Sequence, residues 1–294
     1  MPARSPHTDV LPAEAGASVL RGLNDAQRAA ASHGSGPLLI VAGAGTGKTA
    51  TLAHRVAHLV AEGTPPGRIL LLTFTRRAAE EMLRRVDGLL RSAAGNGDLP
   101  AALSGARVWG GTFHAVATRL LRIHGESIGL PPGFTILDRS DSEDLMHAVR
   151  TTLDLGSTGR RFPQKATCLD IYSRCVNAAE PLEHVLKTRY PWCKDDAEGL
   201  KQLFAAYVDR KETGHVLDYD DLLLFWRGML ADPGLGAVVR GHFDAVLVDE
   251  YQDTNALQAD IVALLRPDGT GITAVGDDAQ AIYGFRAATV RNIL

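Results

Sequence analysis

Two short apolar runs, each followed by a helical pattern, limit what this chain can fold into more than any other feature. The run PLLIVAG (37–43) precedes a helical pattern from Thr49 to Glu62, and RILLLTFT (68–75) precedes the amphipathic pattern RRAAEEMLRRVDGLL (76–90). Short continuous apolar runs bounded by Pro, Gly or polar residues are typical of strands buried on both faces of a sheet. This β-α-β-α order predicts a parallel sheet flanked by helices.

Strand patterns return late in the chain, after a long helical stretch. RVWGGTF (107–113) is a third strand-like run, whereas residues 114–220 carry helical patterns with FTILD (134–138) as the exception. FDAVLVDE (243–250) and GITAVGDD (271–278) then predict further buried strands with a helical pattern between them. We therefore expect an α/β fold whose sheet begins before an inserted, mostly helical subdomain and is completed after it.

The predicted domain bounds follow from these changes of pattern. The N-terminal residues are rich in Pro, Ala and Ser without periodicity, which predicts a disordered arm. Asn24 or Asp25 can then cap a short helix that runs through Ala31. The bounds are a disordered arm at residues 1–19, a first sheet part at 20–113, a helical insertion at 114–220 and a second sheet part at 221–294.

The charge is unevenly distributed along the chain. Residues 1–130 carry 14 Lys and Arg against 9 Asp and Glu, while residues 131–294 carry 17 against 25. A polyanion would therefore bind the first half more readily than the second. Ordinary scatter of surface charge is the alternative explanation of these counts.

Composition indicates a globular protein of a reducing compartment. Hydrophobic residues make up 45% of the chain, yet no run of about 18 apolar residues and no signal peptide occurs. Cys168, Cys175 and Cys193 fit no usual zinc spacing and leave an odd thiol in any disulfide scheme. We expect a cytoplasmic protein without membrane contact.

A glycine-rich segment, AGAGTGKT (42–49), lies between the first apolar run and the helix after it. A phosphate-binding loop occupies this position, between a buried strand and the start of a helix. Its glycines let backbone N–H groups turn towards phosphate oxygens. Lys48 is expected to reach the terminal phosphates, and the Thr49 hydroxyl to bind Mg²⁺. The usual pattern begins with Gly, and here that position is Ala42. The residues expected to hold the nucleotide are Gly43, Ala44, Gly45, Thr46, Gly47, Lys48 and Thr49.

An acidic pair ends the apolar run AVLVDE. Asp249, at the end of a strand beside the loop, can hold the Mg²⁺ shell, and Glu250 can orient and deprotonate an attacking water. Such a pair by itself more often caps the following helix. Together with the phosphate loop, it predicts nucleotide hydrolysis.

Seven segments of this chain resemble, in order and context, those of the UvrD/Rep-like superfamily-1 DNA helicases. The segments are LNDAQ, AGAGTGKT, LLTFTRRAAEEM, GTFHA, LDYDDLL, LVDEYQDTN and VGDDAQAIYGFRAA, and the resemblance covers about residues 21–294. It implies a P-loop NTPase (RecA-like) fold and an ATP-dependent 3′-to-5′ DNA helicase that uses Mg²⁺. It also implies binding to single-stranded DNA and to junctions of single and double strands, in a DNA repair context.

Further roles follow from the resemblance. Gln27 is similar to the glutamine that reads the adenine edge, and Gln280 to a catalytic glutamine that contacts the γ-phosphate and couples hydrolysis to DNA. Gln252 is similar to a residue that links these events, with a purely structural hydrogen bond as the alternative. Phe113 is expected in the core, and His114 has bracing of the loop as an alternative role. The resemblance implies DNA binding by Phe74, Thr112, His114, Tyr283, Phe285 and Arg286.

The chain departs from the family pattern at two points. Ala50 stands where the family often has an arginine that flanks the base, which places the adenine stack in question. Phe285 and Ala287 stand in the stretch that usually reads YGWRG, so that stacking on DNA uses a smaller ring.

The resemblance also implies a second RecA-like domain, which contributes arginines to the γ-phosphate. We expect that domain to be absent here, so that the chain is an N-terminal half that binds ATP and Mg²⁺, hydrolyses slowly and cannot unwind DNA alone. Its partners would then be a missing C-terminal half or repair proteins. Two alternatives are a DNA-binding module that never hydrolyses nucleotide, and the helicase part of a RecB/AddA-like helicase-nuclease. For the latter, DYDD (218–221) superficially offers metal-binding acids.

Overall fold

The computed structural model describes residues 13–43, 45–96, 107–156 and 162–277. These residues form two compact units. The sheet unit comprises residues 13–43, 45–96, 107–112, 241–251 and 266–277, and the helical unit comprises residues 113–156, 162–240 and 252–265.

The strands of the described residues belong to two sheets. In chain order they are β1 (Leu38–Val41), β2 (Ile69–Thr73), β3 (Trp109–Thr112), β4 (Thr135–Ile136), β5 (Val216–Leu217), β6 (Ala245–Val248) and β7 (Ile272–Gly276). The larger sheet has the order β1-β7-β6-β2-β3, and every neighbouring pair in it is parallel. Because β6 and β7 pair between strands from the start of the chain, the prediction of a parallel sheet completed after an insertion is confirmed.

Helices account for most of the remaining described residues. They are α1 (Ala13–Ser18), α2 (Asp25–Ala31), α3 (Lys48–Ala61), α4 (Arg76–Gly95), α5 (Phe113–His124), α6 (Arg139–Thr152), α7 (Lys165–Ala178), α8 (Leu182–Thr188), α9 (Ala197–Gly214), α10 (Tyr219–Ala231), α11 (Pro233–Arg240) and α12 (Ala256–Leu265). Short 3₁₀ turns cover Pro66–Arg68, Gly125–Ile128, Pro191–Asp196 and Tyr251–Asp253.

The core of the sheet unit lies between the larger sheet and helices α3 and α4. Every residue of β2 and β6 is buried, as their continuous apolar runs predict. Leu52 and Val56 of α3 and Met82 of α4 pack into the same cluster as Leu71. This core holds the loop between β1 and α3 at one edge of the sheet, because both of its flanking elements are anchored.

The prediction that β1 is buried on both faces is wrong. Leu39 is 46% exposed and Val41 is 54% exposed, whereas Ile40 packs against the core. The physical reason is that, among the described strands, β1 lies at the edge of the larger sheet and has β7 as its neighbour. An apolar run alone cannot distinguish an edge position from a central one.

The helical unit extends beyond the predicted insertion at residues 114–220. It also includes α10, α11 and α12, because α10 packs against α5 and α12 within the unit. Its core includes Ile171, Leu203 and Tyr207. The three cysteines lie in this unit, and all are free thiols.

Helices α10 and α11 are together long and apolar enough to cross a membrane, but the pair bends by 103°. Among the described residues, no single helix is long and apolar enough to cross a membrane.

The acids of DYDD have structural partners within the helical unit. Asp218 and Asp221 form a reciprocal capping box at the start of α10, and both accept a hydrogen bond from Lys211 at 2.6 Å. Among the described residues, no group of three or more His, Cys, Asp or Glu side chains could hold a metal ion. These contacts give the acids a role in stability that needs no metal.

Candidate nucleotide-binding site

The loop between β1 and α3 has the backbone that its glycines predict. Gly45 and Gly47 have φ values of +76° and +87°, a region that other residues rarely adopt. A side chain at position 47 would also collide with the Gln27 amide, because a Cβ there would lie 2.7 Å from Gln27 Nε2. The Thr46 hydroxyl donates to the Gly43 carbonyl at 2.7 Å, which closes the turn. Ala44 lies outside the described residues.

Helix α3 begins directly after this loop, and within the part of the chain that the structure describes no side chain caps its N-terminus. Its first N–H groups have no partner within the helix, and the helix dipole places partial positive charge there. A 14-residue helix that follows a glycine-rich turn in this way has the geometry that binds phosphate.

Lys48 is the first residue of α3 and is buried. Its Nζ donates to Asp277 Oδ2 at 3.3 Å, a long bond for a charged pair. An ammonium group has three N–H donors, so that this bond leaves capacity for phosphate oxygens. Asp277 follows β7, and sequence reasoning gave it no role. The signal that could have found it is an acid after an apolar strand, the same pattern that identified Asp249.

The amide of Gln27 is held at both ends. Asn24 caps α2 in a reciprocal capping box, in which the Asn24 N–H donates to Gln27 Oε1 at 3.1 Å. Gln27 Nε2 donates to the Thr46 carbonyl at 2.9 Å. A primary amide has two N–H donors and two acceptor lone pairs, so with respect to the described residues one of each remains for a ligand. The predicted cap of α2 is confirmed, and Gln27 contacts the phosphate loop directly.

Asp249 and Glu250 directly follow β6. Asp249 is buried, and its Oδ1 has no hydrogen-bond partner among the described residues. Burial, and then the charge of Glu250, raise the pKa of Asp249 to about 6. A buried carboxylate oxygen without a donor is costly unless a cation neutralises it, and carboxylates are ligands that Mg²⁺ prefers. The residues present therefore fit the predicted metal.

Glu250 has a strained backbone. Its φ is +50°, in the left-handed region that costs a residue with a Cβ about 1–2 kcal/mol. Such strain persists only where the surrounding structure imposes it, and it is concentrated at functional sites. The neighbouring Gln252 is buried in the Tyr251–Asp253 turn.

The parallel sheet explains how separate segments meet. The carboxyl ends of parallel strands lie at one edge, where ligands of open α/β sheets bind. Within the sheet unit, the segments that leave this edge include Phe74 after β2, Thr112 at the end of β3, Asp249 after β6 and Asp277 after β7. Phe74 and Thr112 are half-buried, and Thr73 and Thr112 are register partners on neighbouring strands.

Two predicted residues at the start of α5 lie in the helical unit. Phe113 is buried with its ring 6.2 Å from that of Trp226, so its predicted core position is confirmed. The His114 ring packs edge-on against Tyr219, with the ring centroids 5.6 Å apart, and the sequence analysis did not single out Tyr219.

Thr49 is half-buried in the first turn of α3. The remaining predicted residues, Gln280, Tyr283, Phe285 and Arg286, lie outside the described residues.

Comparison with known proteins relates this geometry to one family. The family model described as UvrD/REP helicase N-terminal domain matches residues 23–294. The chain is 38% identical over 282 residues to the ATP-dependent DNA helicase PcrA of Leuconostoc citreum, and 38% identical over 286 residues to the ATP-dependent DNA helicase UvrD1 of Mycobacterium tuberculosis. It is 34% identical over 280 residues to DNA helicase II of Escherichia coli. Each match covers 94% of this chain but only 35–36% of the relative, so the chain spans about a third of their length.

Proposed function

We propose, because the chain belongs to the UvrD/REP helicase N-terminal domain family, that it is the ATP-binding and DNA-binding part of a 3′-to-5′ DNA helicase. One observation carries the proposal. The phosphate loop and the Asp249–Glu250 pair both follow the carboxyl ends of strands in one parallel sheet. The relatives named as ATP-dependent DNA helicases support the choice of ATP and DNA.

The phosphates of ATP would lie against the loop and the N-terminus of α3. Backbone N–H groups of the loop would donate to phosphate oxygens, and the Lys48 ammonium would neutralise the terminal phosphates. The remaining donor and acceptor of the Gln27 amide would bind the base. The 2.9 Å bond from Gln27 to Thr46 links base and phosphate recognition in one loop.

Mg²⁺ would be held by Asp249 and Thr49. When bound, the ion neutralises charge that develops on the phosphate oxygens. Asp249 fits this role because its Oδ1 is buried without a partner among the described residues. Glu250 would orient the attacking water and accept its proton. Its left-handed backbone, with φ of +50°, is strain of the kind that is concentrated at functional sites.

Single-stranded DNA is the proposed polymer substrate, with strand junctions as the site of unwinding. Phe74 would stack on bases, an interaction worth about 1–3 kcal/mol per base and indifferent to sequence. Thr112 and His114 offer hydroxyl and imidazole groups to the phosphates, and Tyr283, Phe285 and Arg286 are also proposed to bind DNA. We further propose a cytoplasmic location and repair proteins as partners.

The chain spans about a third of its relatives, and unwinding requires two domains that close and open around nucleotide. We therefore propose that hydrolysis and unwinding by this chain alone are weak. A second domain supplied in trans should increase the turnover.

Nucleotide binding is tested by calorimetric titration of the chain with the ATP analogue AMP-PNP and Mg²⁺. We expect Lys48→Ala to weaken binding at least about 100-fold, because a charge-assisted contact to phosphate is lost. Lys201→Ala is the matched control, since Lys201 is an exposed lysine of α9 paired with Glu183. Equal affinity for Lys48→Ala and Lys201→Ala would refute the assignment of the site.

DNA dependence is tested by measuring phosphate release with and without single-stranded DNA. We expect slow release that DNA stimulates and that Glu250→Gln abolishes. Equal DNA affinity with and without ATP, together with no hydrolysis even after a second domain is added, would favour the non-hydrolysing module. Metal-dependent DNA cleavage would favour the helicase-nuclease.

A further inference from the structure

Arg55 is a buried cation that nucleotide chemistry does not require. It lies on α3 and is 1% exposed. Its Nε donates to the Thr273 hydroxyl on β7 at 2.7 Å. Its Nη atoms donate to four backbone carbonyls, those of Ala30 (3.3 Å), Ala31 (3.5 Å), His33 (2.7 Å) and Gly34 (3.1 Å).

The four carbonyls are those of the end of α2 and the turn after it. The C-terminus of a helix carries partial negative charge, which a buried guanidinium stabilises. Among the described residues, no carboxylate forms an ion pair with Arg55, and burial lowers its pKa to about 10. The side chain therefore remains charged at neutral pH, and carbonyl oxygens supply its acceptors.

Helix α2 needs such an anchor. It has seven residues, and isolated helices shorter than about 12 residues are marginal in water. Gln27 lies in its first turn, and Ala30 follows one turn later. Arg55 thus holds the end of α2, while the bond from Gln27 to Thr46 holds its beginning. Arg55 lies on α3 and Thr46 lies in the loop before it, so both contacts attach α2 to this region.

We propose that Arg55 is a positioning residue for nucleobase selection, which acts by holding α2 so that the Gln27 amide meets the base in one orientation. This inference rests on the proposed binding of ATP. Adenine presents an acceptor at N7 and a donor at N6, which match the donor and acceptor that the Gln27 amide retains. Guanine presents acceptors at both N7 and O6, so a fixed amide matches only one of them.

The test measures the dissociation constants of AMP-PNP and GMP-PNP with Mg²⁺ for the full 294-residue chain. We expect Arg55→Met to reduce the preference for AMP-PNP about fivefold to tenfold, the equivalent of about one hydrogen bond. GMP-PNP affinity should change less than about twofold, because the phosphate contacts remain. Arg227→Met is the matched control, since Arg227 is an exposed arginine of α10 paired with Asp260.

A double variant shows whether Arg55 acts through Gln27. Gln27→Ala should abolish the preference, and adding Arg55→Met should then change it no further. If Arg55→Met weakens both analogues equally, with the preference unchanged, Arg55 is only structural and the proposal is overturned. Additive losses in the double variant would overturn it as well.

Two milder variants keep the test decisive if Arg55→Met does not fold. Thr273→Val removes only the acceptor of Nε, and Arg55→Lys keeps the charge but cannot reach β7 and all four carbonyls together. Both should reduce the preference by about twofold, and an unchanged preference in both overturns the proposal. A wild-type chain that binds both analogues equally would overturn it while leaving ATP binding intact. A chain that binds neither analogue would instead refute the proposed function.

Discussion

The two units each bury a lysine, and the two lysines are bonded very differently. Lys211 of the helical unit is 2% exposed and donates to Asp218 and Asp221, both at 2.6 Å. Burial alone would lower the pKa of Lys211, but the charges of the two aspartates outweigh burial and raise it. Lys48 of the sheet unit is 8% exposed and, among the described residues, has one side-chain bond, of 3.3 Å to Asp277.

The difference separates buried charge that stabilises a fold from buried charge that serves a ligand. The Lys211 cluster also includes the hydroxyl groups of Tyr172 and Tyr207, so its polar atoms are satisfied within the protein. In the sheet unit, Asp249 Oδ1 is buried without a partner among the described residues. A buried carboxylate oxygen without a donor offers a place that a cation can complete.

The largest expected effect compares the two lysines directly. Lys211→Met should lower the free energy of unfolding by about 3–5 kcal/mol, because it leaves two buried carboxylates without their cation. Lys48→Met should cost less, about 1–3 kcal/mol, because it removes one long bond but leaves the Asp277 carboxylate buried. Urea unfolding followed by circular dichroism measures both, and similar losses would refute the distinction.

Asp249→Asn should raise stability and remove function together. Burial and the charge of Glu250 raise the pKa of this carboxyl to about 6, so replacing it with a neutral amide should increase the free energy of unfolding at pH 7.5 by about 1–2 kcal/mol. The added stability that AMP-PNP and Mg²⁺ confer on the wild type should then disappear. Asp244→Asn, at an exposed aspartate paired with Arg68, is the control and should change neither quantity by more than about 1 kcal/mol. Loss of stability in Asp249→Asn would contradict the prediction.

Each unit also has a residue with a left-handed backbone. Glu250 in the sheet unit has a φ of +50°, and His215 at the end of α9 has a φ of +52°. Glycine at either position should be more stable than alanine by about 1 kcal/mol, because glycine adopts this conformation without strain. Only the changes at Glu250 should abolish hydrolysis. Thermal unfolding and phosphate release measure the two effects, and alanine as stable as glycine at position 250 would argue against strain there.

The smallest effect concerns Asp220, whose pKa burial and the charge of Asp218 raise to about 6. A carboxyl group with a raised folded-state pKa binds its proton more tightly when folded, so its contribution to stability falls as pH rises from about 4 to about 6. Asp220→Asn removes this loss and still accepts the 2.6 Å bond from Asn177. A shift of about two pKa units corresponds to at most about 3 kcal/mol. Because Asp220 is only half-buried, the variant should be more stable than the wild type by about 1 kcal/mol at pH 7.5 and equal to it near pH 4. The same difference at both pH values would exclude titration of Asp220 as the cause.

Much of the sheet unit was predictable because its signals are local. The runs that became β2 and β6 are apolar over consecutive residues, and the glycines between β1 and α3 require left-handed backbone where they stand. Position in the sheet was not predictable, and β1 is therefore an edge strand with Leu39 and Val41 exposed. An apolar run records the preference for burial, whereas sheet order depends on segments more than 200 residues away, as in the pairing of Leu38 with Thr273.

By itself, the sequence determined the elements, the family and the phosphate loop, because periodicity, turn residues and motif spacing are local properties. Only the tertiary structure decided which polar groups are satisfied. It gave Lys211 two carboxylates, left Asp249 Oδ1 without a partner among the described residues and enclosed Arg55 in carbonyl oxygens. Hydrogen bonding at buried sites joins residues distant in the chain, and no local pattern records which of them will meet.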